Sequence, residues 1–91
     1  MKLQDALFNW LQIRMVADAR PDDRAAVDTV QFFATILQED HGMTEFDIVM
    51  VDDTMVHIKY VIDGKAKKQM VPRENAEQLL HDINSNPKYN E

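Results

Sequence analysis

Cysteine is absent from the chain. Disulfides, thiol nucleophiles and thiolate metal sites are therefore excluded, and a reducing compartment suits the protein. Glycine occurs only at Gly42 and Gly64. The phosphate-cradling loop of NTPases and the dinucleotide fingerprint need several glycines close together, so neither is present. The one serine, Ser85, lies in a polar run near the end, which leaves no serine–histidine–aspartate set. No threonine stands beside a His or Lys that would activate it. Long apolar runs are missing too. Asp5, Asn9 and Gln12 interrupt MKLQDALFNWLQIRM, so this segment reads as neither a signal peptide nor a membrane span. The expectation is a cytoplasmic protein with no membrane partner.

What is present is enough for one small α+β domain. The 91 residues are 45% hydrophobic and carry a net charge of −6. Such a chain folds alone with modest stability, and oligomerisation would help it. The charge is uneven. Up to Ile58 there are four Lys or Arg against eleven Asp or Glu; from Lys59 onward there are six against five. Lys59, Lys65, Lys67, Lys68 and Arg73 fall within fifteen residues.

Apolar spacing predicts a first helix from about Lys2 to Ala19, with Leu3, Leu7, Trp10 and Leu11 on its stripe and Phe8 and Met15 widening it. So broad an arc implies burial on more than one side. Pro21 ends this helix. A second helix is expected from about Asp22 to His41, with Ala26, Val30, Phe33 and Leu37 on one face, stopped at Gly42. The short link makes an antiparallel helical hairpin. From Phe46 to Val71 the period changes to 2, and three strands of a meander are expected, with turns at Asp52-Asp53-Thr54 and Asp63-Gly64-Lys65. Even positions from Phe46 to Met70 are nearly all apolar. For them to share one face, the second turn must be an odd-length loop with Gly64 in a left-handed bulge. A last helix runs from about Arg73 to Asn84. The domain is thus residues 1–84 in the order ααβββα, two layers, and 85–91 are a polar tail.

The acidic corner, Asp18, Asp22, Asp23 and Asp28, invites a divalent-cation reading. Asp22 and Asp23 instead stand where a helix begins, and caps there explain them. Arg14 falls inside the apolar arc of the first helix and needs a partner; Asp18 lies one turn on. His41, His57 and His81 share no spacing that would hold zinc. No metal and no cofactor is expected, and no small-molecule ligand is inferred. Nucleic acid is not an expected partner: the lysines lack interleaved exposed aromatics, and the rest of the chain is acidic.

The odd face of the sheet draws more attention. Val49, Val51, Met55, His57, Val61 and Val71 lie on it, among Asp47, Lys59, Lys67 and Gln69. A face meant only for water would carry fewer apolar residues. Strand propensity alone accounts for some valine, and a C-terminal helix crossing to this side would cover it. Five such side chains contribute at most about 1.5 kcal/mol each, roughly 7 in total, while association costs at least about 4 kcal/mol. The expected class is a non-enzymatic protein–protein interaction or regulatory domain, with a second copy or another protein docked on the sheet. The alternative is an acidic, antitoxin-like inhibitor that covers a basic site on its partner. A metal-dependent enzyme built on Asp18, Asp22 and Asp23 is the third class.

Overall fold

The computed structural model describes residues 1–85. Helix α1, Leu3–Ala19, occupies the middle of the fold. Ala6, Leu7, Trp10, Leu11 and Val16 are all buried, on several sides of the cylinder, as its broad apolar arc requires. Arg20 then leaves helical geometry at φ −130° and ψ 68°, the response to a following proline. Helix α2, Arg24–Glu39, starts from Asp23, whose carboxylate accepts from the Ala26 N–H at 3.1 Å. That is the cap expected of the acidic corner. Ala26, Ala34 and Leu37 face α1, while Phe32 stays 60% exposed. Gly42, at φ 64°, turns the chain into the sheet.

Three antiparallel strands follow in the order β1-β2-β3: β1 Met43–Val51, β2 Met55–Ile62 and β3 Lys65–Pro72. One face packs on the helices. Met43, Val56, Ile58 and Tyr60 are buried there, with Phe46, Ile48, Ile62 and Val71 packed against them. Trp10 of α1 meets Phe46 edge to face, with ring centroids 5.2 Å apart. The chain closes with α3, Arg73–Ala76, and α4, Gln78–Ser85. Both pack on α1, and Ala76 is fully buried in the core. The fold is the α+β order of helical hairpin, meander and C-terminal helices. Beyond Ser85, the predicted polar tail lies outside the described residues.

Two details correct the sequence reading. The Asp63-Gly64 turn is not an odd-length loop. Ile62 pairs directly with Lys65, and Asp63 and Gly64 both take positive φ, 54° and 74°. These are the dihedrals of the two-residue turn whose twist suits a hairpin. The parity of β3 is therefore reversed. Lys67, Gln69 and Val71 turn toward the helices, opposite Tyr60, Ile58 and Val56; Ala66 and Met70 turn outward, opposite Val61 and His57. In β1 the register shifts between Ile48 and Met50. An inserted residue reverses the alternation. Met50 now pairs with outward His57, and Val51 with inward Val56.

Candidate interaction surface

The outer face is open: α3 and α4 lie on the α1 side of the sheet, so no helix of the described residues covers it. The register sets out its rows. Glu45, Val61 and Ala66 form one; Asp47, Lys59 and Lys68 the next; Met50, His57 and Met70 the third; Met55 and Pro72 the last. Val49, at the bulge, stands beside them. Val49, Met50 and Met70 are 54%, 55% and 56% exposed. Met50 and Met70 thus flank a half-buried His57, with Val49 nearby at the bulge.

Of the six residues expected on this surface, Val49, Met55, His57 and Val61 are there. Val51 and Val71 are not. Val71 packs into the core. Val51 lines a cleft of about 580 Å³ between α1 and the C-terminal helices, with Arg14, Asp18, Ile48, Arg73 and Leu80. The bulge and the two-residue turn moved them. Met50 and Met70 take their places, and the Asp63-Gly64 dipeptide was the signal for Met70.

His57 is held. Its Nε2 lies 2.8 Å from Asp52 Oδ2. Asp52 Oδ1 accepts from the backbone N–H groups of Thr54 and Met55 at 2.9 and 2.6 Å. This side chain therefore builds the β1–β2 turn and orients the imidazole at once. The bond to His57, with the two backbone donors, pulls the Asp52 carboxyl from the ordinary 3.8 down to about 2, because each donor favours the charged form. Arg73 anchors the turn from the other side. Its backbone N–H reaches the Thr54 carbonyl at 2.8 Å, its guanidinium reaches the Asp52 carbonyl at 3.3 Å, and it pairs with Glu77.

The His57–Asp52 pair has the form of a base with its orienting acid. Among the described residues no hydroxyl is hydrogen-bonded to His57. The nearest hydroxyl in the network, Thr54 Oγ1, lies 3.5 Å from Asp52 Oδ1 and bonds to the acid. Among the described residues no three His, Asp or Glu side chains converge as metal ligands. The acidic corner is used structurally: Asp23 caps α2 and lies 3.6 Å from Arg20, and Asp18 holds Arg14 Nε at 3.0 Å. Arg14 also lies over Trp10, 5.8 Å from its ring centroid, and reaches Asp47 at 3.5 Å. That is how α1 carries an arginine on its apolar side: the stem packs and the head stays paired.

No helix of the described residues is long and apolar enough to cross a membrane. Comparison with known proteins finds no family model, curated protein or solved structure that matches the chain.

Proposed function

We propose that this chain is a non-enzymatic protein-interaction domain of the cytoplasm that docks a second copy of itself on its outer sheet face. The exposure of Val49, Met50 and Met70 around His57, on a face no helix covers, carries the reading. Contiguous apolar surface of this kind is lost from water when a partner binds.

The layout of the apolar side chains suits a copy of the same chain. Along the row Asp47, Lys59, Lys68, acid lies on β1 and base on β3. A two-fold axis along β2 lays β1 of one protomer over β3 of its partner. Met50 then meets Met70, Asp47, which also lies 3.5 Å from Arg14, comes over Lys68, and Lys59 on the axis faces its own copy. An isologous contact requires such self-complementarity.

Molar mass by light scattering, over a wide concentration range and at two salt concentrations, tests this. A dimer that survives high salt and is lost in Val49→Lys/Met70→Lys is the expected result. A monomer at every concentration defeats it. A complex that dissolves as salt rises assigns the contact to charge and favours the acidic-inhibitor class.

A further inference from the structure

The two edges of the sheet are built differently. β1 is irregular, with register shifts at Met43/Glu45 and at Ile48/Met50. Bulges of this kind blunt an edge against pairing. β3 is regular: from Lys65 to Pro72 every residue pairs with β2 without a shift, and among the described residues no further strand lies beyond it. The Ile62–Lys65 pair closes a two-residue turn, so it is a doubly hydrogen-bonded pair. By alternation, the backbone groups of Ala66, Lys68 and Met70 then point out of the sheet. Pro72 has no N–H to offer and ends the ladder.

The charge along this edge has one sign. Lys65, Ala66, Lys67 and Lys68 are all exposed. Lys68 sits on the outer face directly opposite Lys59, and like charges in that position are destabilising. Lys65 and Lys67 lie on the other face. Among the described residues none of these four lysines is ion-paired. The row Asp47–Lys59–Lys68 therefore reads acid, base, base, and lacks an acid on its open side. In a chain of net charge −6, such a local excess of base is a departure from the rest of the surface.

We propose that β3 accepts an extended acidic segment of another protein as a fourth strand. Main-chain bonds to the outward groups of Ala66, Lys68 and Met70 would supply the pairing, and carboxylates on both faces of the incoming strand would supply the selection. The acids must include two adjacent ones, because Lys67 and Lys68 point to opposite faces. The lysines also keep two β3 edges apart, so the fourth strand is not a second β3. Nucleic acid is the less favoured anion. Tyr60 is 5% exposed, and among the described residues the face offers no exposed aromatic on which a base could stack. The edge shares Lys68 with the outer-face contact, whereas Lys65 and Lys67, on the opposite side of the sheet, belong to the edge alone.

The probe is a fluorescein-labelled peptide, Val-Val-Glu-Glu-Thr-Glu-Val, followed by anisotropy and by backbone amide NMR of the whole protein. Saturable binding is expected, with the largest shifts at Ala66, Lys68 and Met70. Lys65→Glu/Lys67→Glu should weaken it about tenfold, from two reversed cross-strand charge pairs. A peptide with Lys in place of Glu should then bind the reversed protein and not the original. Both substitutions sit on exposed side chains, and light scattering of the variant reports independently on outer-face association. A peptide methylated at alternate backbone nitrogens should fail. The proposal is overturned if that methylated peptide binds equally well, if the shifts fall on the helices, if nothing saturates, or if a short oligothymidylate binds more tightly than the peptide.

Discussion

The same strands present two faces with opposite fates. On β2, Val56, Ile58 and Tyr60 are buried, while Met55, His57, Lys59 and Val61 look the other way. Strand propensity does not separate them, since both sets hold β-branched residues. What separates them is what lies opposite: α1 with Trp10, Leu7 and Leu11 on one side, and solvent on the other. Burial, and not residue type, decides what each side chain contributes. The largest contrast is therefore between neighbours. Ile58→Ala should lower stability by about 2 to 5 kcal/mol, through lost transfer energy and an unfilled cavity. Val61→Ala, three residues on, should cost less than about 1 kcal/mol in the dilute monomer. Urea denaturation at low protein concentration measures both. Equal losses would mean that the outer face is covered in solution and that the comparison of faces is wrong.

Much of this division was legible in the sequence, and its failures have one cause. Helix limits followed from Pro21, Gly42 and the period of the apolar residues. The α1 arc announced burial on several sides. Arg14 announced a partner, and Asp23 a cap. For β1 and β2 the even positions from Phe46 to Tyr60 mostly did go inward. The errors lie at β3 and at the end of β1, where alternation was carried through a turn and a bulge. Period 2 holds only within an unbroken ladder; one inserted residue, or one tight turn, reverses every side chain beyond it. Asp63-Gly64 carried the needed information as turn chemistry. It was outweighed by Ala66 and Met70, which look apolar and even-numbered yet lie outside. The bond from His57 to Asp52, five residues back, depends on the course of the β1–β2 turn, which composition does not disclose.

The turn that reversed β3 can be broken directly. Gly64 sits at φ 74°, and a Cβ placed there meets nothing within 4 Å. The whole penalty of Gly64→Ala is then backbone strain in the left-handed region, about 1 to 2 kcal/mol. It should appear in denaturation without a change in core packing. Asp63 tolerates φ 54° because an Asx side chain accepts that region more readily than most. A Gly64→Ala protein as stable as the original would mean that the hairpin closes through a different turn, and that Val71 and Met70 are not on the faces described.

A smaller effect separates the polar part of the outer face from its apolar part. Asp52 has its carboxyl lowered to about 2, chiefly by His57 and then by the N–H groups of Thr54 and Met55. A group depressed in the folded state stabilises it at pH values above the unfolded value. That contribution is fully present above about pH 4 to 5 and is lost as pH falls toward 2. In Asp52→Asn the amide carries no charge at any pH, so this component of the slope should vanish. The gap between the two proteins should be widest near neutrality and close near the acid end. Replacing the largest cause refines the test. His57→Phe leaves both backbone donors in place, so the Asp52 carboxyl should move back part of the way toward 3.8, readable in a carboxylate NMR titration. If instead the stability gap of Asp52→Asn persists undiminished in acid, the aspartate acts by turn geometry alone. His57 would then be held by the surrounding methionines and not by charge, and the outer face would be apolar in its energetics as well as in its composition.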